Sequence, residues 1–136
     1  MRVVIDPNVL ISAVLSPSAV AAHVVEAVRT GQLRLVSCPI LLEELAGVLA
    51  RPKFRRWVTE EEIERYCADL AALAEPCSNP RSPYPAATRD PDDDYLVALA
   101  LEAGVDALIS GDTDFADVSA PHVLTPRQDL DVLDTR

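Results

Sequence analysis

The stretch "DPDDDYLVALALEAGVDALISGDTD", residues 90–114, predicts a helix followed by a strand. Its first part, 90–103, is an apolar run with aspartates at its start and Gly104 at its end, the pattern of a helix with its terminator. The following "ALIS", 107–110, is a short apolar run that predicts a buried strand. A helix that leads into a buried strand is the repeating unit of α/β proteins.

The rest of the chain continues this alternation. "RVVI", residues 2–5, predicts a buried strand that stops in a turn at "DPN". The prolines between 76 and 91 indicate an irregular connection with room for one short edge strand. Strands and helices in alternation predict a parallel sheet covered on both faces through right-handed crossovers. The other predicted elements are a helix opened by Ser16, Pro17 and Ser18 and running to Arg29, a strand at 33–37, a helix at 39–50, a helix opened by a capping box of Thr59 and Glu62 and ended by Pro76, and a strand at 122–125.

Length and composition indicate one globular domain. The chain has 136 residues, of which 49% are hydrophobic and 25% charged, so we expect a single domain over 1–136 with a real core. No apolar run approaches the roughly 20 residues of a membrane span, and "MRVVIDPNVL" is not a secretion signal. We therefore expect a cytoplasmic protein without a membrane partner. Cys38, Cys67 and Cys77 lack C-x-x-C spacing, which indicates neither a disulfide framework nor a zinc site.

The net charge of −10 argues against a protein that binds nucleic acid by bulk electrostatics. An acidic surface is compatible with nucleic-acid chemistry if metal ions neutralise the local carboxylates and the few cations are concentrated. Arg51, Lys53, Arg55 and Arg56 form such a concentration in "RPKFRRW". This segment is either a solvated basic turn, a contact for an RNA backbone, or an anchor for an acidic partner segment.

Several acidic residues fall where ligands bind in parallel sheets, beyond the carboxyl ends of the strands. Asp6 follows the first predicted strand, and Asp112 and Asp114 follow "ALIS". On the helix at 39–50, the 100° spacing places Glu44 at the border of the apolar arc and Glu43 nearly opposite it, in water. We therefore expect Glu44, and not Glu43, to reach a cleft at this edge of the sheet.

Converging carboxylates repel one another unless a cation lies among them. Hard oxygen ligands of this kind suit Mg²⁺ or Mn²⁺, which are held by a few carboxylates together with substrate phosphate. The chemistry indicated is metal-assisted hydrolysis of a phosphodiester.

Three segments carry a resemblance to a known family. "VVIDPNVLISAVL", "CPILLEELAGVLARPKF" and "RDPDDDYLVALALEAGVDALISGDTDF" together resemble a PIN domain, in particular the bacterial branch described as toxin components of toxin–antitoxin pairs. The resemblance covers residues 3–126 in order. It implies a three-layer α/β/α fold around a central parallel sheet and an endoribonuclease that depends on Mg²⁺ or Mn²⁺. It also implies an RNA substrate, a cognate antitoxin protein and a homodimer.

The resemblance also implies which side chains carry the activity. By position, the acidic residues of the family fall on Asp6, Glu44, Asp94 and Asp112, and Asp114 assists them. Asp94 is chosen over its neighbours because "DYLVALA" matches an aspartate followed by an apolar helix face.

Three positions depart from the family pattern. Pro7 stands where a Thr or Ser usually follows the first aspartate, so a hydroxyl and an N–H are both missing there. Cys38 replaces a serine that caps the second predicted helix, and Ser110 replaces a threonine but keeps its hydroxyl. Pro7 puts metal affinity in question.

Other interpretations of the same residues stay open. Asp6 before Pro7 also fits a simple turn, and Asn8 either closes that turn with its amide or orients Asp6. Asp90, Asp92 and Asp93 are expected to be caps or solvated charges. The alternative function is a catalytically degenerate PIN domain that acts as a binding module. A phosphatase acting on small phosphate esters is a further alternative, although its usual Asp-x-Asp motif is absent from "DPN".

Overall fold

A computed structural model describes residues 1–16, 19–119 and 121–134 of the chain. Pro17 and Ser18, predicted to open a helix, lie outside the described residues. The centre of the fold is a five-stranded sheet in which every adjacent pair of strands is parallel. The strands are β1 (Arg2–Ile5), β2 (Arg34–Ser37), β3 (Glu75–Pro76), β4 (Ala107–Ile109) and β5 (Val123–Leu124), in the order β3-β2-β1-β4-β5.

Six helices lie in the described residues, and they cover both faces of the sheet to give the predicted three-layer α/β/α fold. Val3, Val4 and Ile5 of the central strand have no exposed surface, because helices pack on both sides of it. No single helix among the described residues is long and apolar enough to cross a membrane, and α1 and α2 meet the test only together, across a 103° bend. The helices are α1 (Pro7–Leu15), α2 (Val20–Arg29), α3 (Pro39–Leu49), α4 (Glu60–Leu73), α5 (Asp94–Ala103) and α6 (Pro126–Asp134).

The turn predicted at "DPN" is wrong. Asp6 is the N-cap of α1 and Pro7 is its first helical residue. An aspartate before a proline occurs both in turns and at helix starts. Proline has no backbone N–H, but at the first position of a helix that N–H would have no partner within the helix. The apolar run that follows decides for the helix, and its buried residues are Val9, Leu10, Ile11 and Ala13.

Two predicted helix ends are confirmed in detail. The capping box of α4 joins the Glu62 N–H to the Thr59 hydroxyl at 3.1 Å and the Thr59 N–H to the Glu62 carboxylate at 3.2 Å. Gly104 closes α5 with a left-handed φ of 64°. The start of α5 was predicted too early, because a short 3₁₀ turn over Pro91–Asp93 precedes the helix.

Near the two edges of the sheet, the structure differs from the prediction. α4 ends at Leu73 and not at Pro76, since Glu75–Pro76 forms the short edge strand β3. α6 was not predicted, although its signal is present: the Thr125 hydroxyl accepts from the Gln128 N–H at 3.1 Å, and the Gln128 side chain accepts from the Thr125 N–H at 2.9 Å.

Candidate functional site

The carboxyl ends of β1 and β4 bring Asp6, Ser110 and Asp112 together. Ile5 lies opposite Ile109 in the parallel register, so the residues that follow each strand are neighbours. The Ser110 hydroxyl donates to Asp6 Oδ2 at 2.8 Å and accepts from the Asp112 N–H at 3.0 Å. The hydroxyl that Ser110 keeps in place of threonine therefore positions both the Asp6 carboxylate and the Asp112 backbone.

Asp6 is held firmly in the protein interior. Its residue is 2% exposed, and the Asn8 N–H donates to Oδ1 at 2.9 Å. Burial raises the pKa of Asp6 above its usual value, and Asp112 raises it further, while the hydrogen bonds from Asn8 and Ser110 lower it. Because the Asn8 N–H reaches the carboxylate, the N–H that Pro7 lacks is not needed at this position.

Asp93 lies among the predicted acids, although it was expected to be a cap or a solvated charge. Its side chain makes no capping hydrogen bond at the start of α5. Partial burial raises the pKa of Asp93 to about 7, and the nearby charges of Asp6, Asp90, Asp112 and Glu44 raise it as well. The Asp93 carboxyl group is therefore both partly desolvated and surrounded by negative charge that no described cation compensates.

Asp93 also belongs to a group of oxygen donors. Asp90, Asp93 and Asp114 each offer a carboxylate oxygen, and these oxygens lie within 4.8 Å of one another. All three residues are half-buried. Carboxylate oxygens at this spacing fit a hard divalent cation such as Mg²⁺ or Mn²⁺. The carboxylates described so far form one set, which we call the acid pocket: Asp6, Glu44, Asp90, Asp93, Asp112 and Asp114.

Glu44 joins the acid pocket from α3. It is half-buried, whereas Glu43 is exposed, as the helical spacing predicted. The Tyr95 hydroxyl donates a short hydrogen bond to Glu44 Oε2. Tyr95 is itself buried, and burial together with this contact raises its pKa well above the usual range. The tyrosine therefore stays protonated and holds the Glu44 carboxylate from the α5 side.

Asp94 has a different set of contacts from Asp93. Its Oδ1 accepts hydrogen bonds from the Ala87 N–H at 3.2 Å, the Thr88 N–H at 2.8 Å and the Thr88 hydroxyl at 2.8 Å. Burial alone would raise the pKa of Asp94, but the bonds from Thr88 and Ala87 lower it. Asp94 thus anchors the connection before α5, and its contacts do not favour the predicted metal-binding role.

The remaining departures from the family pattern are met by other groups. Cys38 makes no capping hydrogen bond at the start of α3, and Asn79 accepts from the Ile40 N–H at 2.9 Å in its place. The Asn8 side chain is exposed, and the Asn8 backbone N–H, not the side-chain amide, orients Asp6.

A cleft opens beside Asp6 and Asp112, and its other lining residues are Asn8, Val9, Ser12, Ala21, Gly111 and Pro126.

The predicted contact residues Arg51, Lys53, Arg55 and Arg56 lie together in an exposed loop. We call residues 51–57 the basic loop. It begins two residues after the end of α3, the helix that carries Glu44. The basic loop is therefore joined to the acid pocket by a single helix.

The sequence matches a known domain family and is similar to a known protein. Residues 2–114 match the family model of the PIN domain. The uncharacterized protein MJ1680 of Methanocaldococcus jannaschii is 25% identical over 114 residues, which is 84% of this chain and 72% of that protein.

Several solved structures are similar in fold. VapBC2 from Rickettsia felis, bound to a DNA fragment from its promoter, superposes with a TM-score of 0.65 at 11% identity over 92% of this chain and 98% of that chain. PAE2754 from Pyrobaculum aerophilum gives a TM-score of 0.67 at 14% identity over 100% and 91%. FitAcB from Neisseria gonorrhoeae gives 0.56 at 23% identity over 92% and 98%. At these identities the likeness establishes a shared fold.

Proposed function

Since the chain belongs to the PIN domain family, we propose that it is a metal-dependent endoribonuclease and the toxin of a toxin–antitoxin pair. The observation that carries the proposal is the acid pocket itself. Asp93 has a pKa of about 7 because it lies, partly buried, among four other carboxylates: Asp6, Asp90, Asp112 and Glu44. Such an arrangement is unfavourable for folding and is explained most simply by a bound divalent cation.

Asp90, Asp93 and Asp114 would hold such a cation, and the charges of Asp6, Glu44 and Asp112 lie near enough to favour it. When bound, Mg²⁺ or Mn²⁺ supplies a water of lowered pKa and neutralises charge on the scissile phosphate. Asp93 takes the place that the sequence comparison assigned to Asp94. Asp94 as a ligand stays a prediction, and its three hydrogen bonds to residues 87 and 88 speak for an anchoring role instead.

The residues around the pocket keep its carboxylates in place before any substrate arrives. Ser110 holds Asp6 and the Asp112 backbone, and Tyr95 holds Glu44. Fixed ligands reduce the reorganisation that binding requires, and partners of this kind usually matter for activity. The cleft beside Asp6 and Asp112 gives a phosphate group access to them.

The test is cleavage of a mixed pool of single-stranded RNA with Mn²⁺ and, in parallel, with a chelator. We expect cleavage only with the metal and its loss in Asp93→Asn. The matched control is Asp92→Asn. It removes the same charge from the preceding residue, whose side chain is exposed and lies outside the acid pocket. Equal loss of cleavage in both variants would assign the effect to net charge and not to the pocket.

The rival proposal is a degenerate PIN domain that serves as a binding module. Pro7 supports the rival, because the hydroxyl usual after the first aspartate is missing. Absence of cleavage with Mg²⁺ and with Mn²⁺, together with undiminished Mn²⁺ binding in Asp93→Asn, would favour it.

We further propose a cognate antitoxin protein as partner, which the likeness to VapBC2 and FitAcB supports. A homodimer and a cytoplasmic location belong to the same proposal. Inhibition of RNA cleavage by the protein encoded beside this chain, and the mass of the purified protein in light scattering, test the partner and the dimer.

A further inference from the structure

We propose that the basic loop binds single-stranded RNA, with a base stacked on Trp57 and the neighbouring cations against the phosphates. The inference rests on the proposed function, because it takes RNA as the substrate. It adds a binding surface outside the acid pocket and assigns a role to Trp57, which the catalytic chemistry leaves unused.

The first observation is the exposure of Trp57. Its residue is 59% exposed, more than Leu101 at 53% or Leu73 at 38%, the other exposed large apolar residues of the described chain. The guanidinium carbon of Arg56 lies 5.5 Å from the centre of the Trp57 ring. Aromatic rings and guanidinium planes are the surfaces on which unpaired bases stack.

The second observation is the concentration of positive charge. The basic loop holds four of the chain's 12 lysines and arginines, and all four are exposed. Among the described residues, the only carboxylate within ion-pair distance of the loop is Glu60, 3.3 Å from Arg55. Arg51, Lys53 and Arg56 therefore remain available to phosphates, which distinguishes this surface within a chain whose net charge is −10.

The third observation is the distance along α3. Glu44 and Leu49 are separated by about 7.5 Å along the helix axis at 1.5 Å per residue, and the basic loop begins two residues later. An RNA strand that contacts both regions would thus lie along α3. A polyanion that is repelled by most of the surface would be held beside the carboxylates that act on it.

A single-stranded nucleic acid fits this surface better than an acidic protein segment does. Carboxylates of a protein partner would use the cations but would leave the indole ring without a stacking partner. In a nucleic acid, the phosphates contact the cations and a base stacks on the indole ring. Stacking is insensitive to sequence because every base has a π face. Acidic peptide binding is the alternative that the experiment has to exclude.

The chain contains one tryptophan, so fluorescence excited selectively from tryptophan, and not from the three tyrosines, reports on the basic loop alone. The wild-type protein is titrated with oligouridylate in the presence of a chelator, which prevents metal-dependent cleavage. We expect saturable quenching of Trp57 that weakens with added salt. An oligoglutamate of equal charge should cause no quenching; equal quenching by both would overturn the proposal in favour of a protein partner.

Variants are then compared by the anisotropy of a labelled oligouridylate. Trp57→Ala should weaken binding by about 5- to 160-fold, the usual range for loss of one stacked base, and Trp57→Phe should restore most of it. Lys53→Ala should reduce the slope of affinity against salt by about 0.7. Leu101→Ala and Arg81→Ala change an exposed apolar residue and an exposed cation elsewhere, so they should bind as the wild type does.

The outcomes separate this inference from the proposed function. Unchanged binding in Trp57→Ala would overturn the inference even if the protein cleaves RNA through the acid pocket. Quenching by RNA without cleavage under any metal would support the inference as a binding property, while counting against the nuclease. Thermal melting of each variant shows that it is folded.

Discussion

The acid pocket and the basic loop are both concentrations of charge, but they are assembled in opposite ways. The carboxylates of the pocket come from positions 6 to 114 and meet because the fold brings them together. The cations of the loop lie within residues 51–57 and project into water. Like charges that are partly buried raise the free energy of the folded state, whereas exposed charges are screened. Of these two regions, the pocket is therefore the one whose arrangement is unfavourable in the folded state.

The largest expected effect separates two adjacent aspartates. Asp93→Ala should lower the rate of RNA cleavage by at least about a hundredfold, the upper end of the loss seen when a metal site loses a supporting partner. It should leave the stability of the metal-free protein unchanged or higher, since a repelled carboxylate is removed. Cleavage rates and urea midpoints measure the two effects.

Asp94→Ala is the matched variant, and it should lower the stability of the protein while leaving RNA cleavage largely intact. It leaves N–H groups of residues 87 and 88 without their acceptor, which should cost about 1–3 kcal/mol of unfolding free energy. Loss of cleavage with stability intact in Asp94→Ala, and normal cleavage in Asp93→Ala, would instead support Asp94 as the ligand.

The next effect is the pH dependence of stability without metal. Asp93 has a folded-state pKa of about 7 against an ordinary value of 3.8, so only the folded state holds its proton between these values. Its contribution to stability is present below pH about 4 and is lost as the pH rises through about 7. Asp93→Asn should remove this part of the pH profile in urea unfolding.

Metal should reverse that loss. Above pH 7, Mn²⁺ replaces the proton as the positive partner of the pocket and should raise the unfolding free energy by about 2.7 kcal/mol at a hundred times its dissociation constant. A melting temperature that does not change on addition of Mn²⁺ at pH 8, or that rises equally in Asp93→Asn, would contradict a metal site built around Asp93.

A smaller effect is expected at the edge of the pocket. Tyr95→Phe removes the hydrogen bond that holds Glu44, and should lower cleavage by about tenfold and stability by about 1 kcal/mol. If the tyrosine acts by positioning Glu44, the cost in activity should vanish once Glu44 is already changed to Gln. An equal loss in both backgrounds would show that Tyr95 acts independently.

The smallest effect on stability is expected in the basic loop. Trp57→Ala should change the unfolding free energy by no more than about 0.5 kcal/mol, because an exposed side chain loses little packing. Its effect should appear as a higher KM for RNA with kcat unchanged. A drop in kcat at saturating RNA would place Trp57 in the catalytic step and would weaken the contrast between the two regions.

Much of this architecture could be predicted because its signals are local. The helix and strand alternation, the capping box of Thr59 and Glu62, and the closure of α5 by Gly104 each depend on a few neighbouring residues. The start of α1 was missed because an aspartate before a proline opens turns and helices alike. α6 was overlooked although Thr125 and Gln128 form a capping box.

The approach of Asp6 to Asp112 was determined by the sequence, since a residue that directly follows a parallel strand lies at the carboxyl edge of the sheet whatever the surrounding packing. The different contacts of Asp93 and Asp94 were decided only by the tertiary structure. Successive residues at a helix start point about 100° apart, so the position of the helix start decides the surroundings of each carboxylate: Asp93 lies among the acids of the pocket, and Asp94 accepts hydrogen bonds from residues 87 and 88. The connection at residues 87 and 88 sets that position by binding Asp94, through contacts that no local pattern records.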